Sequence, residues 1–447
     1  MNKLERLPEW AHNLIDFKNQ PPINRIAYTK EDIEYKCRLM KRMAALGMEL
    51  SVDEIGNICG TLPGKSKETL ALCSHTDSVN NGGQFDGSVG IIASLVAIEN
   101  LAKQNKEVKN TLKVIICAAE ESTRFNQACL GSKYLNGDIK KRNFDGIKDL
   151  QGISLQAAVT ESRKYMNDYQ KEYGIKNISF QDNVIGKDEC ETGIELHIEQ
   201  AGTLQSMGKD IGIVNFIASP YRHTFQIIGE ADHSGAANMK DRKDACAAAS
   251  MFNNELRELA MQPDSGFRVA PTRIVSGYKK LEKLLDDIKN KIDAKSDPEK
   301  IKKEVDSILT VFGNANVIQD DVHLFVDVRL QSQKIVGTIK QMMENLIAKV
   351  ENETGVQFNG ELGEPTASVK ADGALSKKIF DVSKSNPLNL DTVSMPSGAG
   401  HDIACMPVKK RALIFIPSGR SHRPDEHTSE KNVTNGANVL AATIAEL

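Results

Sequence analysis

The chain has 447 residues, 40% of them hydrophobic and 26% charged, with a formal net charge of −3. That length exceeds what one core normally holds and predicts two domains, while the near-neutral charge argues against a nucleic-acid or membrane partner. No apolar run approaches the ~18 to 20 residues of a membrane span, MNKLERLPEWAHNL lacks an apolar core followed by a small-residue cleavage site, so no export signal is expected, and eight scattered cysteines without Cys-x-x-Cys spacing are expected to be reduced thiols of a cytoplasmic protein.

In chain order, Ile33, Cys37, Met40 and Ala44 recur at helical spacing over 31–47, and Gly47 ends that helix. Residues 48–62 read as a strand, a turn at Asp53–Asn57 and a second strand. Two short apolar runs follow, TLALCS from 69 and TLKVIICAA from 111, of the kind expected for buried parallel strands. A strongly apolar helix, 88–103, lies between them. Each run ends in groups that bind metal or move protons. After the first come His75, Asp77 and, past a double glycine, Asp86; after the second come Glu120 and Glu121. Parallel strands deliver reactive side chains at their C-terminal edge, so both sets are expected to meet there. His-x-Asp suits a metal because the acid can hold the imidazole from behind. Adjacent glutamates at a strand end point to different sides, so one can bind metal while the other acts as general base.

Residues 136–190 are polar, with a helix predicted around 154–171. In IELHIEQAG, from 194, His197 emerges from a short strand between Glu195 and Glu199. Residues 211–217 and 222–230 alternate like antiparallel strands and lead to His233 in ADHSG. A helix at 242–260, a strand at 267–276, a strand pair over 316–330 and a helix at 333–352 complete an α+β unit. The charged segment 279–311 keeps one apolar stripe and reads as a decorative helical hairpin. Thereafter come a helix near 373–384, a glycine-rich loop with His401 at its exit, a strand from 411 leading to Ser421-His422, and a final helix at 431–445. The expected fold is α/β: a mainly parallel sheet flanked by helices, formed by 1–211 and 366–447. Inserted in it is an α+β lid domain, 212–365, with an antiparallel sheet and two helices.

The motifs HTDSVNNGGQFDG, EESTRFNQACLGS, ELHIEQAG, HSGAANMKDRKDA, NVIQ followed by DVR, and SGAGHD occur in that order. In them the chain resembles the metal-dependent amidohydrolases of the M20-type aminoacylase superfamily. More narrowly, it resembles the branch of N-carbamoyl-L-amino acid hydrolases and allantoate amidohydrolases. The resemblance implies two divalent metal ions per subunit, zinc first and manganese, cobalt or nickel otherwise. His75 and His197 would bind one and Glu121 and His401 the other, with Asp86 bridging. It further implies Glu120 as general base, Asp77 behind His75, and a homodimer through the lid domain in which His233 reaches the partner's site. Arg222, Asn316 and Arg329 would hold the substrate's carboxylate and amide. The implied reaction is hydrolysis of a carbamoyl or similar linear amide of a small carboxylate-bearing molecule. An N-carbamoyl-L-amino acid is the leading substrate, and allantoate or a β-ureido acid the alternative. Deacylase or dipeptidase action, and a non-catalytic binding protein on the same fold, are the readings further off. The chain departs from the family at Ala236-Ala237-Asn238, at Gln319, in a shortened last loop before Ser421-His422 and in the 279–311 segment, none of which touches an implied metal ligand.

Overall fold

A computed structural model describes residues 3–17, 21–66, 68–186, 189–276, 316–365 and 368–447, together with Asp286, Ile288 and Asn290. The 279–311 segment read as a helical hairpin therefore lies outside the described residues, those three positions excepted. The chain divides into two compact units, Met1–Ile217 with Lys370–Leu447, and Ala218–Val369.

In the first unit the strands are β1 (Glu49–Val52), β2 (Ile58–Leu62), β3 (Thr69–His75), β4 (Thr111–Cys117), β5 (Ile178–Phe180), β6 (Cys190–Ile198) and β7 (Ile211–Ile217). The second unit contributes β8 (Ser219–Ile228), β9 (Phe267–Ser276), β10 (Asp321–Leu330) and β11 (Gln357–Asn359), after which β12 (Val369–Lys370), β13 (Thr392–Ser397) and β14 (Lys410–Ile416) follow.

The first unit is built on a sheet ordered β12-β7-β14-β6-β3-β4-β2-β1-β5, with β13 paired to β7. β3 runs parallel to both β4 and β6, and β6 is parallel to β14. Every residue of β3 is buried, as expected where helices cover both faces. One covering helix, Ser88–Lys103, is apolar almost all round. It approaches β6 so closely that a Cβ on Gly90 would stand 2.2 Å from the Leu196 carbonyl oxygen, so only glycine fits there. The last helix, Glu430–Glu446, packs against it.

In the second unit the sheet order is β11-β8-β10-β9, with every pairing antiparallel. β10 alternates between half-buried and buried residues along its whole length. Its buried residues Val322, Leu324, Val326 and Val328 share a core with Phe252 and Leu256 of the helix Ala245–Met261 and Met343 and Leu346 of the helix Ile339–Thr354. The α/β class, with a mainly parallel sheet and a separate antiparallel one, is that implied by the sequence.

Three local readings are corrected. Residues 212–217, assigned to the inserted domain by their alternation, form β7 of the first unit's sheet, parallel to β13 and antiparallel to β14. Their pairing partners lie far along the chain, and alternation carries no information about partners. The segment 316–330 is one strand, β10, preceded by a turn and an isolated bridge between Val317 and His233. The helix read over 333–352 is broken into Gln333–Val336 and Ile339–Thr354.

Candidate metal centre

Because β3, β4, β6 and β14 are mutually parallel, their C-terminal ends share one edge, and the chemistry gathers there. His75 closes β3, His197 lies one residue from the end of β6, and Glu120 and Glu121 follow β4. The loop after β3 returns Asp86 to the same place. Gly87 then begins the apolar helix at φ 63°, and a Cβ there would stand 2.5 Å from His75 Nε2. Glycine is needed at this position both for its backbone and for the space.

The Nε2 atoms of His75 and His197 stand 3.5 and 3.1 Å from Asp86 Oδ1, and 3.4 Å from each other. Each ring turns its Nδ1 to a backbone carbonyl, His75 to Asp77 at 3.1 Å and His197 to Ile198 at 2.9 Å. Only an N–H can satisfy a carbonyl, so in the neutral rings Nε2 carries the lone pair. The Gly87 N–H, donating to His197 Nε2 at 3.2 Å, agrees with that tautomer. Two nitrogen lone pairs thus converge on a carboxylate oxygen that is buried without any hydrogen-bond donor. Such an arrangement is repulsive unless a positive charge sits within it.

Charge points the same way. Burial pulls the imidazoles down, yet the surrounding carboxylates outweigh it. Glu120, Asp86 and Asp77 hold His75 well above its ordinary value, and Asp86 and Glu195 hold His197 up at about 9. Burial pushes Asp86 up, but His197 and its neighbours draw it well below the usual carboxylate range. A buried set of imidazoles and carboxylates that holds positive charge this firmly fits a divalent cation.

Asp86 Oδ2 faces a second group. It accepts from Gln200 Nε2 at 2.9 Å and from the Ser421 hydroxyl, and His422 Nε2 lies 3.5 Å away. His422 Nε2 also stands 3.0 Å from Glu121 Oε1, another buried oxygen that lacks a hydrogen bond. Asp86, Glu121 and His422 therefore form a second set of convergent ligand atoms, sharing Asp86 with the first. Among the described residues the ligand atoms of His401 gather with those of Glu195 and His197 rather than with Glu121. His401 Nε2 is hydrogen-bonded to the Ser397 hydroxyl at 2.9 Å, and its ring packs edge-on against His197. Glu195 accepts the Ile403 N–H at 2.9 Å and so fixes the short helix that follows His401 on that side. Burial, with His197 beside it, holds the His401 imidazole well below its ordinary value. His422 had a signal in the sequence, since it follows the last apolar strand, β14.

Asp77 does more than stand behind His75. Its carboxylate is 3.7 Å from His75 Nδ1, while its two oxygens accept the Glu120 and Glu121 N–H groups at 3.2 and 3.0 Å. It clamps the glutamate pair to the end of β3. Glu120 Oε2 lies 3.8 Å from His75 Nε2. Burial pushes its carboxyl well up, with His75 opposing and Glu121 adding. Sequence reasoning also passed over Glu426. Its Oε1 accepts the Phe85 and Asp86 N–H groups at 2.8 and 3.1 Å and so braces the loop that aims Asp86.

The remaining residues implied by the sequence lie in the second unit. Exposed His233 turns Nδ1 inward to accept the N–H groups of Gly235 and Ala236 at 3.0 and 3.1 Å, which makes Nε2 the outward donor. Its strand bridge to Val317 brings Asn316 alongside, and the Asn316 carbonyl accepts the Ser234 N–H at 2.8 Å. Arg242, also missed, holds this loop through the carbonyls of Ser234 and Ala237. Arg222 and Arg329 converge on Asp327: Arg329 grips Oδ2 through Nε and Nη2 at 3.1 and 2.8 Å, and Arg222 Nε is 3.3 Å from the same oxygen.

A family model described as peptidase family M20/M25/M40 matches residues 62–446. An allantoate amidohydrolase of Bacillus subtilis (strain 168) is 28% identical over 430 residues, 95% of this chain and 92% of its own length. A ureidoglycolate hydrolase of Arabidopsis thaliana is 29% identical over 437 residues, covering 96% and 82%. An N-carbamoyl-L-amino-acid amidohydrolase of Pseudomonas sp. (strain NS671) is 26% identical over 427 residues, covering 94% and 92%. Among solved structures, that of AtUAH in complex with (S)-hydroxyglycine superposes with a TM-score of 0.71 at 25% identity, covering 98% of this chain and 96% of that one.

Proposed function

The chain belongs to peptidase family M20/M25/M40, and from that premise we propose that this amidohydrolase cleaves the ureido C–N bond of a small α-ureido carboxylate. An N-carbamoyl-L-amino acid is the leading substrate, giving the amino acid, ammonia and carbon dioxide. The observation that carries the reading is the buried Asp86 carboxylate with ligand atoms converging on each oxygen and Glu120 beside it. The relatives' named substrates share one feature, a ureido group on the carbon next to a carboxylate.

His75 and His197 with Asp86 would hold one divalent ion, and Glu121 and His422 with Asp86 a second. Zinc, manganese, cobalt and nickel all accept such donors. When bound, such ions polarise a carbonyl and draw the pKa of water towards neutrality. Glu120 takes the proton of the attacking water at Oε2 and returns it to the departing nitrogen. His233, lent by a second copy of the chain in a homodimer, donates Nε2–H to the developing oxyanion. Arg222 and Arg329 supply positive charge for the substrate carboxylate, and Asn316 binds its amide. All eight cysteines are free, which supports a cytoplasmic location.

Ammonia and amine release from a substrate panel tests the reading. N-carbamoyl-L-amino acids, allantoate, ureidoglycolate and β-ureidopropionate are set against N-acetyl amino acids and dipeptides, with the metal-loaded protein. At least one ureido carboxylate is expected to exceed every acetyl or peptide substrate in kcat/KM by roughly 10²-fold. Preference for a dipeptide or an acetyl amino acid overturns it.

A further inference from the structure

Outside the ligand set, one side chain takes hold of Glu120 from the side away from His75. The Cys129 thiol donates to Glu120 Oε1 at 3.2 Å, while the Cys129 N–H donates to the Glu120 carbonyl at 2.8 Å. The next two amides continue the pattern, Leu130 to the Ala119 carbonyl at 3.0 Å and Gly131 to the Ala118 carbonyl at 2.8 Å. The segment is folded back along the strand end between two residues in the left-handed region, Ala119 at φ 52° and Cys129 at φ 57°. Glycine would adopt this backbone without strain. The side chain that this backbone carries at 129 is a thiol aimed at Glu120.

The backbone that carries the thiol is held in turn, because the helix Asp402–Cys405 packs on the helix Leu130–Asn136. Ser132 donates to Asp402 at 2.7 Å across the same contact. A thiol has one proton to give, and that of Cys129 is directed to Glu120 Oε1.

We propose that Cys129 is a positioning residue for Glu120: its thiol holds Oε1, so that Oε2 alone is presented to the attacking water. The inference rests on the reading of Glu120 as general base. The terminal torsion of a glutamate is broad and two-fold, so without the thiol the carboxylate divides its time among orientations that do not meet the water.

The test uses the metal-loaded protein. Cys129→Ala is expected to lower kcat about ten-fold with KM and metal content unchanged, the size of effect expected from one hydrogen bond to a charged group. Cys129→Ser, which keeps a donor, restores most of the loss. Cys129→Gly, which suits the backbone, should behave like Cys129→Ala and replaces it if the alanine variant folds poorly. A readout independent of turnover is the infrared S–H stretch of Cys129, identified by its disappearance in Cys129→Ala. In the wild type it should lie below the other thiols, and in Glu120→Gln it should move towards them. If Glu120→Gln abolishes turnover while the alanine and glycine variants keep wild-type kcat, or if the S–H band ignores Glu120→Gln, the positioning role is wrong. If Glu120→Gln keeps full turnover with full metal, the base itself is misassigned and this inference falls with it.

Discussion

A neutral imidazole has one lone pair, and the hydrogen bond at its other nitrogen decides which way that pair faces. At His75 and His197 a backbone carbonyl holds Nδ1, so both lone pairs turn towards Asp86. At His401 a hydroxyl occupies Nε2 instead, while His422 offers Nε2 to Glu121 and Asp86. The prediction at this scale separates the two histidines. His422→Ala should weaken metal binding by roughly 10²-fold or more, whereas His401→Ala should keep the wild-type metal content. Isothermal titration of the metal-free variants with zinc or manganese measures both. A His401→Ala protein that loses a metal while His422→Ala keeps it would restore the ligand set implied by the sequence.

The strand ends are rigid because neighbouring elements bind their last amides. The Asp53–Asn57 turn between β1 and β2 does this for β4. Asn57 Oδ1 accepts the Ala118 N–H at 2.8 Å, and its Nδ2 reaches the Gly131 carbonyl at 3.1 Å and Asp53 Oδ2 at 2.8 Å. Asp53 Oδ1 accepts the amides of Gly56 and Asn57 at 3.1 and 2.8 Å. Burial nevertheless pushes the Asp53 carboxyl up to about 7, the donors from Asn57 and Gly56 only moderating it. The folded protein therefore binds this proton more tightly than the unfolded chain, whose value is near 3.8. The stability so gained is complete at low pH and is lost as pH rises through the interval up to about 7. Relative to Asp53→Asn, the metal-free wild type should lose up to about 1 kcal/mol per pH unit over that interval and little above it. Denaturant unfolding at several pH values measures the difference, and a flat difference between pH 5 and 7 (about two units) would contradict it.

At the scale of the whole molecule, the residues with assigned roles divide between two units. The ligand set and Glu120 belong to the first, and His233, Asn316, Arg222 and Arg329 to the second. If His233 serves the site of a second copy, two inactive variants should complement each other. Glu120→Gln and His233→Ala subunits, each nearly inactive alone, are expected to recover about a quarter of wild-type activity on mixing. Random exchange gives about half heterodimers, each with one intact site. A confirmed exchange of subunits without recovery would mean that His233 does not act across copies.

The elements that burial dictates were legible in the sequence. The apolar runs of β3 and β4, the all-round apolar helix Ser88–Lys103 and the alternation of β10 are periodic patterns that leave few alternatives. So was the set of residues that gather at the parallel strands' ends, because in such sheets the chemistry sits at that edge: His75, Asp86, Glu120, Glu121 and His197. What could not be read without the packed elements is the sheet that β7 joins, the meeting of His422 with Asp86 and Glu121, and the hold of Asp77, Glu426 and Cys129 on the residues around them. Each of these depends on contacts between segments distant in the chain, and on which ring nitrogen or carboxylate oxygen faces which neighbour. Periodicity says which face of an element is buried, but a hydrogen bond's direction is set only once the elements are packed.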